Sequence, residues 1–129
     1  MKKVLFLIGL PGSGKTTYAK KFLKQTKSFL FDDVFLDSQL EELKALYNSG
    51  VRNIVVTSPV LCTKEAQEKC FSLFPESDVV YFENNIENCW ANIIKRNDKE
   101  KIITKDYLLR LSSKYFIPEN AQILQVEKY

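Results

Sequence analysis

Three of the chain's four glycines fall within six positions, directly before a lysine and two threonines. Residues 9–16 read GLPGSGKT and match G-x-x-x-x-G-K-[ST] at every fixed position. Glycine lets the backbone adopt positive φ and approach a polyphosphate closely, so that successive amides can turn towards one anion. The pattern predicts a nucleoside triphosphate site in which Lys15 supplies a positive charge and Thr16 a hydroxyl ligand for Mg²⁺.

The predicted nucleotide-binding residues lie in this loop and in the first turn of the helix after it. They are Gly9, Pro11, Gly12, Ser13, Gly14, Lys15, Thr16 and Thr17. An apolar strand is predicted directly before the loop, over residues 4–8, and an amphipathic helix is predicted to begin near Gly14, where the loop closes. The positive end of that helix would face the same anion. A plain glycine turn between a core strand and a core helix is the alternative, and this context argues against it.

Two adjacent carboxylates form a second candidate group. Asp32 and Asp33 follow a short hydrophobic strand, at the sheet edge where ligands bind in open α/β folds. One could hold water around Mg²⁺ while the other accepts the proton of an acceptor hydroxyl. Alternatively, one caps a helix that begins near Phe35 and the other is solvated.

Five strands and the helices between them must position these groups. Apolar runs predict strands at 4–8, 28–31, 53–57, 79–83 and 122–127, and helical periodicity fills the intervals. In the fourth helix, Ile86, Cys89, Trp90, Ile93 and Ile94 are expected to face the core. A fifth helix is predicted around residues 106–115, with Tyr107, Leu108 and Leu111 on its apolar face. Helices of about 10 to 15 residues that alternate with strands favour a mostly parallel sheet covered on both faces. We therefore expect an α/β fold in a single domain, residues 1–129.

Composition is typical of a globular protein, with 45% hydrophobic and 27% charged residues. A net charge of +3 neither argues for nor excludes a nucleic-acid partner. Cys62, Cys70 and Cys89 have no CxxC spacing and no histidine beside them, which predicts free thiols. The apolar run near the amino terminus is too short for a membrane span and reads as a strand, so a cytoplasmic protein is expected.

The loop, its strand and the alternating pattern resemble P-loop kinases and NTPases along the whole chain. That resemblance implies a five-stranded parallel sheet of order 2-3-1-4-5. The strand-end pair resembles that of polynucleotide 5′-hydroxyl kinases of the bacteriophage type, and by this resemblance Asp33 is the general base and Asp32 the metal-side carboxylate. The arginines that flank the pair in those enzymes are absent, which weakens the case for a nucleic-acid acceptor.

The third strand also departs from the family pattern. Many P-loop NTPases end it with a metal-associated aspartate, whereas this chain has Thr57 and Ser58 before Pro59. These hydroxyls either contact the substrate or metal-bound water, or complete backbone hydrogen bonds where the strand turns. In the first case Mg²⁺ would depend on Thr16 and Asp32.

A lid is the last element that the resemblance implies. The "KRN" at residues 95–97 resembles the start of a lid, over about 96–105, whose arginines cover the phosphates in small P-loop kinases. Arg96 would neutralise charge as the γ-phosphoryl moves, because its planar group holds phosphate oxygens bidentately. Lys99 or Lys101 would replace the family's second arginine. Alternatively, Arg96 ends a solvated helix.

These features predict a kinase that transfers the γ-phosphoryl of Mg-ATP to a hydroxyl acceptor, with Lys15, Asp33 and Arg96 as catalytic residues. A polynucleotide 5′-hydroxyl is the first expectation for the acceptor, and a nucleoside, nucleotide or small metabolite stays open. The alternative from another class is a regulatory nucleotide-binding module that hydrolyses ATP slowly or not at all.

Overall fold

Strands and helices alternate along most of the chain. The computed structural model describes residues 3–25, 29–32, 37–50, 53–96 and 103–127. The first half contains β1 Lys3–Ile8, α1 Lys15–Gln25, β2 Phe29–Asp32, α2 Asp37–Asn48 and β3 Asn53–Thr57. After a 3₁₀ turn, Pro59–Cys62, the second half contains α3 Lys64–Leu73, β4 Ser77–Phe82, α4 Ile86–Arg96, α5 Lys105–Lys114 and β5 Ile123–Leu124.

The strands form one parallel sheet in the order β2-β3-β1-β4-β5. The predicted α/β class and parallel sheet are confirmed. The fifth strand, however, has two residues, where the sequence predicted six over 122–127. It stops early because side chains bind the backbone that follows: Val126 donates its N–H to Glu83 Oε1 (2.8 Å) and accepts from Asn88 Nδ2 (2.9 Å).

The core is centred on β1, which pairs with β3 on one side and β4 on the other. A strand in this position is buried on both faces, which explains its unbroken apolar sequence. Phe6, Leu7 and Ile8 are fully buried. The register places Thr57 of β3 beside Leu7, so the carboxyl ends of the central strands lie at one edge. That edge is where ligands bind in open α/β sheets.

Two predicted core positions are wrong. Ile94 is 58% exposed, because one residue of helix rotates it about 100° away from Ile93, which does pack against the core. Asn92 takes the neighbouring buried position instead. Tyr107, expected on the apolar face of α5, is also exposed, whereas Leu108 is fully buried there. Trp90 packs against the core as expected.

All three cysteines are free and buried, which confirms the predicted thiols. Within the described ranges, no helix has the length and apolar character needed to cross a lipid bilayer. The cytoplasmic location and the single-domain boundary stay predictions.

Candidate functional site

The glycine-rich loop, residues 9–14, joins β1 to α1 and adopts a conformation that only glycine accepts easily. Gly12 has φ of 82° and Gly14 has φ of 98°, both in the left-handed region. The amide of Ser13 donates to the carbonyl of Leu10 (3.1 Å) and closes the turn between them. Tyr18 N–H then donates to Gly14 O (2.9 Å), so the helix begins where the loop ends.

Close packing also excludes side chains at two of these glycines. A Cβ on Gly9 would lie 2.7 Å from Ser13 Oγ and 2.9 Å from Phe82 Cβ. A Cβ on Gly12 would collide with the carbonyl oxygen of Cys89 in α4 and lie 3.0 Å from Ile93 Cγ1. The loop is therefore held between the end of β4 and the face of α4.

Lys15 is buried, with 8% of its surface exposed, at the first position of α1. Its Nζ donates to the carbonyl oxygens of Gly9 (2.6 Å) and Leu10 (3.1 Å). The ammonium group is thus directed back onto the loop and away from bulk solvent. A buried positive charge in this position attracts an anion more strongly than one in water would.

Ser13 contributes a buried hydroxyl whose hydrogen-bonding capacity is unused. The residue is 3% exposed, and its Oγ has no hydrogen-bond partner among the described residues. Burying a hydroxyl without a partner costs free energy, on the order of 1–3 kcal/mol. A phosphate oxygen in the loop would remove that cost.

A cavity of about 350 Å³ opens beside the loop, and we call it the loop-side cavity. Ser13, Gly14 and Thr17 form its loop end. Its apolar wall contains Tyr18 and Phe82, whose rings meet edge to face with centroids 6.0 Å apart. Residues 123–127, called the 123–127 segment below, also contribute to the lining with Ile123, Leu124, Gln125 and Glu127. This size and mixed lining are typical of small-ligand pockets.

The end of β3 is closed by its own hydrogen bonds. Thr57 and Ser58 are fully buried. Ser58 Oγ accepts from Val60 N–H (3.2 Å) and caps the 3₁₀ turn, while Leu61 N–H donates to Ser58 O (3.2 Å). For Ser58, the structure therefore matches the second of the two predicted roles, completion of backbone hydrogen bonds at the turn.

The remaining predicted site residues are placed less fully. Asp32 is the last residue of β2 and lies beside Thr57 in the register, at the predicted sheet edge. Asp33, Lys99 and Lys101 lie outside the described residues. Arg96 is the exposed last residue of α4, one helical turn after Asn92.

Arg110 lies on the exposed surface of α5. Its guanidinium forms an exposed ion pair with Asp106 one helical turn away (2.6 Å). An exposed pair of this kind contributes little to stability.

Two polar residues that the sequence did not single out support the loop. Asn92 in α4 donates to Gly12 O (2.9 Å), and the phenol of Tyr115 contacts the carbonyl oxygens of Ile8 (2.9 Å) and Phe82 (2.5 Å). For Asn92, the sequence signal that could have indicated this role is a single asparagine at a buried position of an otherwise apolar helix face. For Tyr115 no local pattern points to its partners, which are 107 and 33 residues away.

Two thiols lie close to the loop. Burial raises the pKa of Cys62 to about 11, although the Lys15 charge and a hydrogen bond with the Gly9 backbone act to lower it. Burial likewise raises the pKa of Cys89 to about 11. Both groups are therefore neutral at physiological pH and unsuited to nucleophilic chemistry.

The chain is similar in sequence to uncharacterized protein R277 of Acanthamoeba polyphaga mimivirus. The two are 31% identical over 114 aligned residues, which cover 78% of this chain and 77% of the relative. No family model matches the chain.

Two solved structures have a similar fold. A gluconokinase from Sinorhizobium meliloti 1021 superposes with a TM-score of 0.67 at 11% identity, covering 99% of this chain and 84% of the other. An unliganded sugar kinase from Janibacter sp. HTCC2649 gives a TM-score of 0.73 at 16% identity, covering 98% and 86%. At these identities the likeness establishes a shared fold.

Proposed function

Since the chain belongs to one family with the mimivirus protein, whose name assigns no activity, we propose its function from its own site: an ATP-dependent kinase of a small hydroxyl-bearing metabolite. The observation that carries the proposal is the glycine-rich loop with the buried ammonium of Lys15 and the unpartnered hydroxyl of Ser13. Together they form a preorganised site for the phosphates of a nucleotide.

The orientation of the nucleotide follows from the cavity. With the β- and γ-phosphates in the loop beside Lys15, the loop-side cavity would receive the nucleoside, and Tyr18 and Phe82 supply apolar surface for a base. The lining also contains Gln125 and Glu127, which offer polar groups to the edge of the base or to the ribose.

The proposed reaction passes the γ-phosphoryl group to an acceptor hydroxyl. Asp33 takes the hydroxyl proton, the new O–P bond forms, and the bond between the γ-phosphorus and the ADP oxygen breaks. Thr16 and Asp32 would hold Mg²⁺, which when bound neutralises charge on the phosphates. Lys15 stabilises the charge that develops on the transferred group, and Arg96 would add to it from the start of the lid.

A small acceptor is favoured over a polynucleotide by two observations. The two solved structures with this fold are described as a gluconokinase and a sugar kinase. The chain also lacks arginines beside Asp32, whereas a nucleic-acid acceptor would need cations there for its phosphate. We therefore place sugars, sugar acids and polyols before a polynucleotide 5′-hydroxyl.

The test is transfer of labelled γ-phosphate from Mg-ATP to a panel of sugars, sugar acids, polyols, nucleosides and 5′-hydroxyl oligonucleotides. We expect label in a small hydroxyl compound. Label in the oligonucleotide alone would overturn the choice of acceptor. Release of free phosphate alone, at any acceptor concentration, would favour the regulatory module and overturn the kinase.

Asp33→Asn tests the proposed base, with Asp32→Asn as its neighbour for comparison. Loss of the base should lower the transfer rate at least 100-fold while ATP affinity changes less than twofold. Asp32→Asn should instead raise the Mg²⁺ concentration needed for half-maximal transfer. Equal transfer by wild type and Asp33→Asn would reject Asp33 as the base.

A further inference from the structure

Asn92 places one side-chain amide between two walls of the site. The residue is 1% exposed in the middle of α4. Its Nδ2 donates to Gly12 O (2.9 Å) in the glycine-rich loop and to Glu127 O (2.8 Å) in the 123–127 segment. One NH₂ group has two protons, so these two bonds use its full donor capacity.

The bond to Gly12 fixes the orientation of one peptide group in the loop. The carbonyl of the Gly12–Ser13 peptide accepts from Asn92, and the N–H of the same peptide donates to Leu10 O (3.1 Å). A peptide group held at both ends cannot rotate without breaking a hydrogen bond. The ψ rotation of Gly12, which without a side chain would otherwise be the freest residue of the loop, is thereby restricted.

The bond to Glu127 holds the 123–127 segment, which lines part of the loop-side cavity. One helical turn before Asn92, Asn88 Nδ2 donates to Val126 O (2.9 Å), so α4 holds the 123–127 segment at two consecutive residues. Among the described residues, Asn88 forms no hydrogen bond with the loop, whereas Asn92 bonds to both the loop and the 123–127 segment. The two asparagines therefore form a natural pair for comparison.

We propose that Asn92 is a positioning residue that sets the glycine-rich loop and the 123–127 segment at the spacing that a nucleotide requires. This inference rests on the proposed nucleotide site. It adds a specific coupling between the two halves of that site. The order of the loop, which would bind the phosphates, and the order of the 123–127 segment, which would contact the nucleoside, both depend on one amide group. A side chain that only filled space in the core would not produce this dependence.

The experiment measures binding of inorganic tripolyphosphate and of Mg-ATP by titration calorimetry. Tripolyphosphate reports on the loop alone, and ATP reports on both walls. We expect Asn92→Ala to weaken both ligands about tenfold, the size expected for loss of a buried hydrogen bond. Asn88→Ala should weaken ATP a few-fold and leave tripolyphosphate within about twofold of wild type.

A second variant separates hydrogen bonding from packing. Asn92→Asp nearly preserves the volume, but its carboxylate would face two carbonyl oxygens. If Asn92 acts through its donor group, this variant binds tripolyphosphate no better than Asn92→Ala. A variant that binds like wild type would mean that volume alone matters and would overturn the proposal.

The outcomes distinguish this inference from the proposed function. Failure of the wild type to bind either ligand would overturn the nucleotide site itself. Binding by wild type with unchanged affinities in Asn92→Ala would overturn only the role of Asn92. Should both variants fail to fold, the proposal is tested in the isotope-labelled wild type by measuring hydrogen exchange of the asparagine side-chain amides. Tripolyphosphate should slow exchange at Asn92 and leave Asn88 unchanged, and equal behaviour at both would contradict the proposal.

Discussion

The carboxyl ends of β1 and β3 lie side by side at one edge of the sheet, yet their polar groups are used differently. After β1, the loop leaves Ser13 Oγ without a hydrogen-bond partner among the described residues and directs the Lys15 ammonium onto its own carbonyls. After β3, Ser58 uses its hydroxyl to cap the next turn. The first strand end therefore keeps a buried hydroxyl that could bind the proposed phosphates, whereas the hydroxyl of Ser58 is already used within the turn.

This difference separates the two halves of the proposed site, because the local backbone forms the phosphate half but not the acceptor half. In the proposed site the phosphates would be bound by the loop and the start of α1, whose backbone conformation is already formed. Activation of an acceptor cannot rely on Ser58 and must come from other groups, for which Asp33 is our proposal. Four substitutions or conditions test the contrast, beginning with the largest expected effect.

Lys15→Met should abolish the function of the β1 end. Removal of the ammonium group should lower phosphoryl transfer by about 100-fold or more, since preorganised charge next to the transferred group contributes most to such reactions. The measurement is the initial rate of labelled phosphate transfer at saturating acceptor. Transfer within tenfold of wild type would show that the loop does not act on the γ-phosphate.

Gly12→Ala should damage the loop more than Gly50→Ala damages the end of α2. Both glycines have positive φ, so both variants incur a backbone cost of about 1–2 kcal/mol. Around Gly50 no described atom lies within 4 Å of the added Cβ, whereas at Gly12 the Cβ meets Cys89 O. We expect at least a tenfold loss of ATP affinity for Gly12→Ala alone, measured by titration. Equal affinities in the two variants would contradict the packing argument.

Alkaline pH should lower the free energy of unfolding through the buried thiol of Cys62, which follows β3 and forms a hydrogen bond with the Gly9 backbone after β1. Burial raises the pKa of Cys62 from 9.0 to about 11. Above pH 9.0 the unfolded chain loses this proton first, so the free energy of unfolding should fall as pH rises from about 9 to 11. Cys62→Ala should show a shallower decrease in urea titrations across that range. Parallel curves for the two proteins would assign the pH dependence to other groups.

Ser58→Ala should have the smallest effect, confined to stability. Loss of the cap should cost about 1 kcal/mol, as for other N-cap hydroxyls. ATP affinity should stay unchanged, because the hydroxyl already has its partner in Val60 N–H. Thr63→Ala, which removes the cap of α3, is a matched control for stability. A specific loss of ATP affinity in Ser58→Ala would show that the β3 end takes part in binding after all.

The sequence predicted well what depends on nearby residues. The strand before the loop, the glycine conformations and the helix start at Lys15 are all determined within about ten residues, so one motif is enough. The parallel sheet followed from the alternation of elements and from the family resemblance.

Contacts between segments that are distant in the chain could not be predicted from the sequence. Asn92 bonds to residues 80 and 35 positions away, and only the folded chain brings these together. Hydrophobic periodicity placed Ile94 in the core, because a pattern of residue types cannot distinguish an apolar side chain that packs from a polar one that bonds the backbone. The fifth strand was predicted too long for a related reason: Glu83 and Asn88 bind the backbone that would have extended it.

The phenol of Tyr115 has a consequence for the electrostatics of the loop. Its single O–H proton lies between two carbonyl oxygens, those of Ile8 at the end of β1 and Phe82 at the end of β4, so the half-buried ring covers both strand ends. A covered site has a lower local permittivity than an open surface, so the attraction between Lys15 and an anion would be less attenuated there.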